Sequence, residues 1–455
     1  MNDVIAAVAT GMPGAIGIVR LSGEGCEALA AKLLRPVSGK AFAESEDRKM
    51  TYCRLLDRQG AVIDMVLAVI TRAPHSYTGE TCCEIHCHGA AAVLTETMTA
   101  LISLGARSAG PGEFTKRAFL NGRMDLTAAE AVVDLIDAES VEAARNAAGQ
   151  LGGAVYRRVD GIYENLLSLV SRFQAVVDYP DEDVEDVERE EMCAVLRTAV
   201  ADLSALGDTF RRGTYLKNGV PAAILGSPNC GKSTLLNALL GYERAIVTDV
   251  AGTTRDTVSE SVTLGGVRLR LADTAGIRES EDTVERLGIE RSLKAAEESE
   301  LLLLVIDGSR PLEDSDFRSM AACRGKKAVA LINKSDLGEN PETVGAVEEK
   351  FPDNLRISAK NGTGLSALEE RVKTLCAAKT DAPVGEILTN ARHYDAVCRA
   401  LGSAGGALSA LESGMTPDAA MSDVEICMGA LGEITGREVS RDIVNEIFAR
   451  FCVGK

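Results

Sequence analysis

The sequence predicts a multidomain α/β protein: an N-terminal α+β domain, an α-helical domain, and a P-loop α/β module inserted into the helical domain. Three observations predict it. The chain has 455 residues, which at about 150 residues per domain is roughly three domains. Its apolar pattern changes character three times, which places domains at 1–120, 121–215, 216–379 and 380–455, the second and fourth being two parts of one helical domain. A Gly-rich loop also stands between a strand-like run and a helix-like run just after residue 220.

Within 1–120, short β-like runs at 4–8, 16–21 and 62–70 alternate with Gly/Pro turns and helical patches. From there to 215 the chain reads as helix. Ala128-Ala129-Glu130-Ala131-Val132-Val133 has the propensity and the period, with few breakers. The acidic run at 178–191, with Pro180 inside it, is expected to break or cap that region and to be a solvated face. Residues 220–225 then form a strand, and strands and helices alternate as in a parallel α/β domain. After 380 the pattern returns to helix. There is no internal repeat and no long linker.

Composition excludes several classes. Hydrophobic residues at 46% and charged residues at 25% are ordinary for a globular protein and rule against disorder or collagen. Without Trp, and with 4% aromatics, stacking platforms for single strands are scarce. A net charge of -18 disfavours gripping nucleic acid by bulk electrostatics. No run of about 18 apolar residues and no basic leader occur, so no membrane span or secretory signal is expected, and the predicted location is cytoplasmic. Twelve cysteines without CxxC spacing fit a reduced protein. Cys82, Cys83, His86, Cys87 and His88 are metal-ligand types, but strand alternation sends them to opposite faces, so a buried strand is the expected reading. The ending Cys452-Val453-Gly454-Lys455 does not match a prenylation box.

The chemistry concentrates in one constellation. Gly226-Ser227-Pro228-Asn229-Cys230-Gly231-Lys232-Ser233 fits GxxxxGK[ST] at every fixed position, with Thr234 next in the helix. Its glycines let backbone amides wrap phosphates, Lys232 can reach the outer phosphates, and Ser233 can ligate Mg2+. Asp273-Thr274-Ala275-Gly276 follows; the Asp would hold the metal's water shell and the Gly276 amide would meet the γ-phosphate. Asn333-Lys334-Ser335-Asp336 comes next, its carboxylate matching the N1–H and 2-amino donors of guanine. Ser358-Ala359-Lys360 fits the loop that meets the guanine oxygen, and Thr254 in Gly252-Thr253-Thr254 stands where a switch-loop Thr would ligate Mg2+. Four motifs in this order predict GTP binding.

The residue after Gly276 is Ile277, where many small GTPases carry a water-orienting Gln. Hydrolysis therefore needs another device. Asn229 in the loop, with backbone carbonyls from Thr248-Asp249-Val250-Ala251-Gly252-Thr253, offers hard oxygen ligands for K+, which would offset developing charge between the phosphates. Glu285 could position water, although on sequence alone it reads as a surface helix carboxylate.

These residues, taken with the rest of the chain, resemble the MnmE (TrmE) family of tRNA-modification GTPases. Outside the GTPase module the resemblance rests on Ser76-Tyr77-Thr78-Gly79-Glu80, His88-Gly89, the run Pro111-Gly112-Glu113-Phe114-Thr115-Lys116-Arg117-Ala118-Phe119-Leu120-Asn121-Gly122, and Phe451-Cys452-Val453-Gly454-Lys455. It implies an N-terminal folate-binding domain that mediates homodimerisation, with Arg20, Glu80, Arg123 and Lys455 at folate-contacting positions. The anionic folate would be drawn by the cations, and Glu80 would accept from pterin donors. It implies K+ at Asn229, Thr248, Val250 and Thr253, Glu285 as the water-orienting residue, and Cys452 as a cysteine needed for modification. It further implies 5,10-methylene-tetrahydrofolate (5-formyl-tetrahydrofolate as analogue) as one-carbon donor, tRNA as substrate, and the FAD-dependent MnmG as partner in a heterotetramer or larger assembly. The expected product carries an aminomethyl or carboxymethylaminomethyl group on carbon 5 of the wobble uridine. The rival is a ribosome-assembly GTPase of Era or Der type, but the sequence shows neither a KH-type GxxG loop with basic flanks nor a second Walker A.

Overall fold

A computed structural model of the chain describes residues 3–11, 14–179, 187–244, 260–271, 294–376 and 383–454. It is a multidomain α/β protein with two compact units. One comprises Met1–Val133, Ala148–Leu203 and Ala396–Lys455, the other Asp134–Ala147 and Ser204–Asp395.

The first unit contains strands β1 (Ile5–Val8), β2 (Ile16–Ser22), β3 (Leu34–Pro36), β4 (Thr51–Leu56), β5 (Val62–Thr71), β6 (Cys82–His88) and β7 (Arg107–Ser108). They form one sheet in the order β3-β4-β5-β6-β2-β1-β7, antiparallel except for β1 beside β7. Alternation sorts its faces. Val19, Leu21, Cys53, Val66, Ala68, Ile70, Cys83, Ile85 and Cys87 pack inward with Leu94 of the helix Ala91–Ser103. Tyr52, Leu67, His86 and Ile18 lie opposite one another in register on the other face, where Tyr52 and Leu67 are exposed. Elsewhere in the unit, Ala154–Asp178 buries Val155, Val159, Ile162, Leu166 and Leu169 at helical spacing and packs on Pro417–Thr435. That helix ends at Asp178, two residues before Pro180, and the next described helix is Arg189–Asp208; residues 180–186 lie outside the described set.

In the second unit, β8 (Val220–Leu225), β9 (Glu260–Leu264), β10 (Val267–Leu271), β11 (Leu301–Asp307), β12 (Lys327–Asn333) and β13 (Asn354–Arg356) form a sheet in the order β13-β12-β11-β8-β10-β9. All pairs are parallel except the β9–β10 hairpin. The run Leu301-Leu302-Leu303-Leu304-Val305-Ile306-Asp307 is buried throughout, as a central strand covered on both faces must be. The carboxyl ends of β8, β11 and β12 carry the phosphate loop, Asp307 and the Asn333 motif, so a ligand site at that end follows from the topology.

Every cysteine is a free thiol, and most are buried in these cores. Burial pushes the Cys53 thiol up to about 11 and that of Cys87 up to about 12. His88 is exposed and Cys83 and Cys87 are inward, and among the described residues no group of three or more His, Cys, Asp or Glu can hold a metal ion.

Candidate functional site

The phosphate loop joins β8 to the helix Lys232–Arg244. Two of its glycines are required by close approach. A Cβ on Gly226 (φ +152°) would lie 2.4 Å from the Val305 carbonyl oxygen, and one on Gly231 (φ +105°) would lie 2.2 Å from Nδ2 of Asn333. Asn229 is exposed and left-handed, with φ 59°. Leu235 N–H donates to the Gly231 carbonyl at 2.9 Å, so the first turn of this helix opens directly onto the phosphate loop. A helix N-terminus of this kind attracts anions. Lys232 Nζ donates to the Gly226 and Ser227 carbonyls at 2.9 and 2.8 Å, which places its ammonium over the loop.

The Asn333 side chain ties this loop to the base motif. Its Nδ2 donates to the Cys230 carbonyl at 2.8 Å, and its Oδ1 accepts from the Ala359 amide at 2.9 Å. Lys334 is left-handed (φ 64°), and its Nζ donates to Asp307 Oδ2 at 2.6 Å. Asp336 is exposed, and its Oδ1 accepts from Ser358 Oγ at 2.6 Å. That hydrogen bond holds the Asp336 carboxyl below its ordinary value, so it is an ionised acceptor at neutral pH. Lys360, next to Ala359 in the chain, is exposed, and its charge favours the ionised Asp336 carboxyl as well. One loop cluster thus gathers the phosphate loop, Asn333, Lys334, Asp336, Ser358, Ala359 and Lys360. Thr248, Asp249, Val250, Ala251, Gly252, Thr253, Thr254, Asp273, Thr274, Ala275, Gly276, Ile277 and Glu285 lie outside the described residues, as does Lys455.

A second polar cluster occupies the first unit. Arg20 Nε donates to Glu84 Oε1 at 2.8 Å, its Nη1 reaches the Gly454 carbonyl at 3.5 Å, and the guanidinium lies 5.5 Å from the Tyr77 ring and 5.7 Å from that of Phe114. Glu80 sits in the loop before β6. Its Oε2 accepts from Ser22 Oγ at 2.7 Å and from Arg117 Nη1 at 3.0 Å. Arg123 is exposed, and its Nε donates to the Ser76 carbonyl at 3.2 Å. The C-terminal segment closes on the same region. Pro111 pairs with Val453, the Gly112 amide donates to the Cys452 carbonyl at 3.2 Å, and Gly454 packs on Val8. Cys452 is exposed, beyond the helix Arg441–Ala449.

Sequence reasoning missed Arg117, which is only 2% exposed and binds Asp3, Glu80 and Glu113 at once. The signal was available: it shares a helical face with the buried Phe114 and Ala118, where a charge must be paired. Burial alone would raise the Glu113 and Asp3 carboxyls, but bonds from Arg107, Arg117 and, for Glu113, the Gly110 amide hold both below their ordinary values of 4.5 and 3.8. A carboxyl depressed in the folded state stabilises above its unfolded value, and that contribution is lost as pH falls through the folded one. Urea denaturation is therefore expected to show stability declining below about pH 4, less steeply in Glu113→Gln. Equal slopes in wild type and variant would contradict the pairing.

The Rossmann-like parallel sheet, the glycine loop before a helix, and a carboxylate poised for a guanine edge define a P-loop guanine-nucleotide enzyme. Comparison with known proteins carries this further. The family model described as GTP-binding protein TrmE N-terminus matches residues 4–123, and the one described as MnmE helical domain matches residues 126–452. The tRNA modification GTPase MnmE of Syntrophotalea carbinolica is 41% identical over 461 residues, covering 100% of this chain and 99% of the relative. That of Roseiflexus sp. is 40% identical over 464 residues, with 100% and 99% coverage. That of Clostridioides difficile is 37% identical over 462 residues and covers both chains in full. The chain belongs to the MnmE family of tRNA modification GTPases. A solved Aquifex aeolicus Era structure is 28% identical over 40% of this chain and 65% of that one, with a TM-score of 0.26, too partial a likeness to decide anything. Full-length agreement with MnmE proteins does not favour the ribosome-assembly alternative.

Proposed function

We propose that this chain hydrolyses GTP with K+ beside the phosphates and, with MnmG, installs an aminomethyl or carboxymethylaminomethyl group on carbon 5 of the wobble uridine of tRNA. The observation that carries the nucleotide half is the Asn333 bridge from Cys230 to Ala359, beside the ionised Asp336. It brings the loops for phosphate and base together. Ser233 and Thr254 would hold Mg2+, and Asn229 with the carbonyls of Thr248, Val250 and Thr253 would hold K+. The exposed, left-handed Asn229 is compatible with that use. Glu285 would orient water.

The one-carbon half rests on Arg20, Glu80, Arg123 and Lys455, with methylene-tetrahydrofolate as donor and Cys452 nearby in the chain. The Ser22 and Arg117 side chains both bond Glu80 at Oε2, which leaves Oε1 to accept from a pterin. The exposed Tyr52 and Leu67 on the outer sheet face support a homodimer formed by the first domain. We keep the domain division 1–120, 121–215, 216–379 and 380–455, a cytoplasmic location, and MnmG as the main tRNA grip in view of the net charge of -18. No helix among the described residues is long and apolar enough to cross a membrane.

The test is GTP turnover in K+ against Na+. Turnover is expected to be at least about tenfold faster in K+, since one preorganised charge contributes a few kcal/mol to the transition state. Asn229→Ala should abolish the difference. Equal rates in both salts would end the cation reading and leave the guanine site standing.

A further inference from the structure

We infer that Arg310 is a positioning residue for the nucleotide, acting on the phosphate loop through Ser227 and linked through Asp307 to the base motif. The inference rests on the GTP-binding reading above and deepens it. Arg310 follows β11 in the loop Asp307-Gly308-Ser309-Arg310. Its Nη2 donates to Ser227 Oγ at 3.2 Å. Its Nη1 donates to Asp316 Oδ2 at 2.9 Å and to the Pro311 carbonyl at 2.8 Å. Its Nε lies 3.9 Å from Asp307 Oδ2, the oxygen that accepts from Lys334 Nζ at 2.6 Å. Ser227 is buried, and its carbonyl takes the Lys232 ammonium at 2.8 Å. A polar chain therefore runs from Lys334 through Asp307 and Arg310 to Ser227 and Lys232, separate from the Asn333 bridge.

Each link is supported. Asp307 is 6% exposed. Burial alone would raise its carboxyl, but the Lys334 ammonium and the Ser309 hydroxyl and amide hold it below its ordinary value. Asp316 is 1% exposed, and its Oδ2 also accepts from the Glu313 amide at 3.0 Å, so one carboxylate caps the helix Asp314–Ala322 and fixes the guanidinium. Thr343 Oγ1 donates to the Arg310 carbonyl at 2.8 Å and anchors the backbone from the far side. The planar fork is what lets one side chain reach Asp316 and Ser227 together; an ammonium makes one such contact well. Held in this way, the start of the phosphate loop keeps one geometry whether or not a ligand is present, and a preorganised loop loses less on binding.

The experiment measures release of a fluorescent methylanthraniloyl-GDP from the full chain, for wild type, Arg310→Gln, Arg310→Lys, Ser227→Ala and the double variant Arg310→Gln/Ser227→Ala. Each single change is expected to speed release about five- to tenfold, the net worth of one long hydrogen bond of ordinary strength. The double variant should release no faster than the faster single, because both remove the same contact. Arg310→Lys keeps a cation beside Asp316 and should keep its melting temperature while still releasing faster. Multiplying effects, or unchanged release in Arg310→Lys, would overturn the positioning role and leave Arg310 as a structural ion pair. A wild-type chain that fails to bind the GDP probe would overturn the guanine-nucleotide reading itself, and this inference with it.

Discussion

Asp336→Ala is expected to weaken GTP binding about a hundred- to ten-thousandfold while the chain still folds. The side chain is exposed, so its loss leaves no cavity and removes the Ser358 hydrogen bond and a mild attraction to Lys360 and Lys334. Its function is electrostatic: an ionised carboxylate accepts two donors from the guanine edge, each charge-assisted bond being worth about 1.5–3 kcal/mol. Asp336→Asn replaces one acceptor oxygen by a donor amide. It should therefore lose guanine and tolerate a base that presents a carbonyl at that point. Calorimetric titration with GTP, ATP and XTP reads both effects. If Asp336→Ala retains its preference for guanine over adenine, the base site lies elsewhere.

Arg117→Ala is expected to destabilise the first unit by about 3–5 kcal/mol, the usual cost of breaking a buried ion pair by removing one partner. The guanidinium is 2% exposed and holds Asp3, Glu80 and Glu113, so its loss leaves Glu80 and Glu113 in a poorly solvated place, with Arg107 still paired to Asp3 and Glu113 but Glu80 left to the Ser22 hydroxyl. The penalty should shrink at low pH, where Asp3 and Glu113 take up protons instead. Urea denaturation at pH 7 and pH 4 checks both statements. A cost under about 1 kcal/mol at pH 7 would mean that the network does not carry the fold.

The nucleotide half of the site is legible because its chemistry is written in contiguous motifs. Gly231 has to be glycine because Asn333 crosses above it, and both residues belong to motifs fixed by spacing. The strands β8 and β12 are equally plain, since parallel strands buried on both faces read as unbroken apolar runs. Arg117 and Arg310 were not legible in the same way. Their partners are brought together by tertiary structure: Asp3 and Glu80 stand 114 and 37 positions from Arg117, and Ser227 stands 83 from Arg310. A single sequence shows a charge on an apolar face but not what neutralises it. The closure of the C-terminal segment onto Pro111 and Val8 was hidden for the same reason, because an isolated two-residue bridge has no periodicity to read.

The distribution of thiols makes the molecule a ready subject for site-specific labelling. Among its cysteines only Cys398 and Cys452 are exposed, Cys376 is half-buried, and the rest are buried, where the loss of water keeps many of them protonated. A maleimide dye added to the native chain should therefore mark these two surface points with little background. A single serine substitution at Cys452 would leave the helix Ala391–Glu412 carrying the one exposed reporter, at Cys398, from which distances within the proposed homodimer can be recorded by energy transfer.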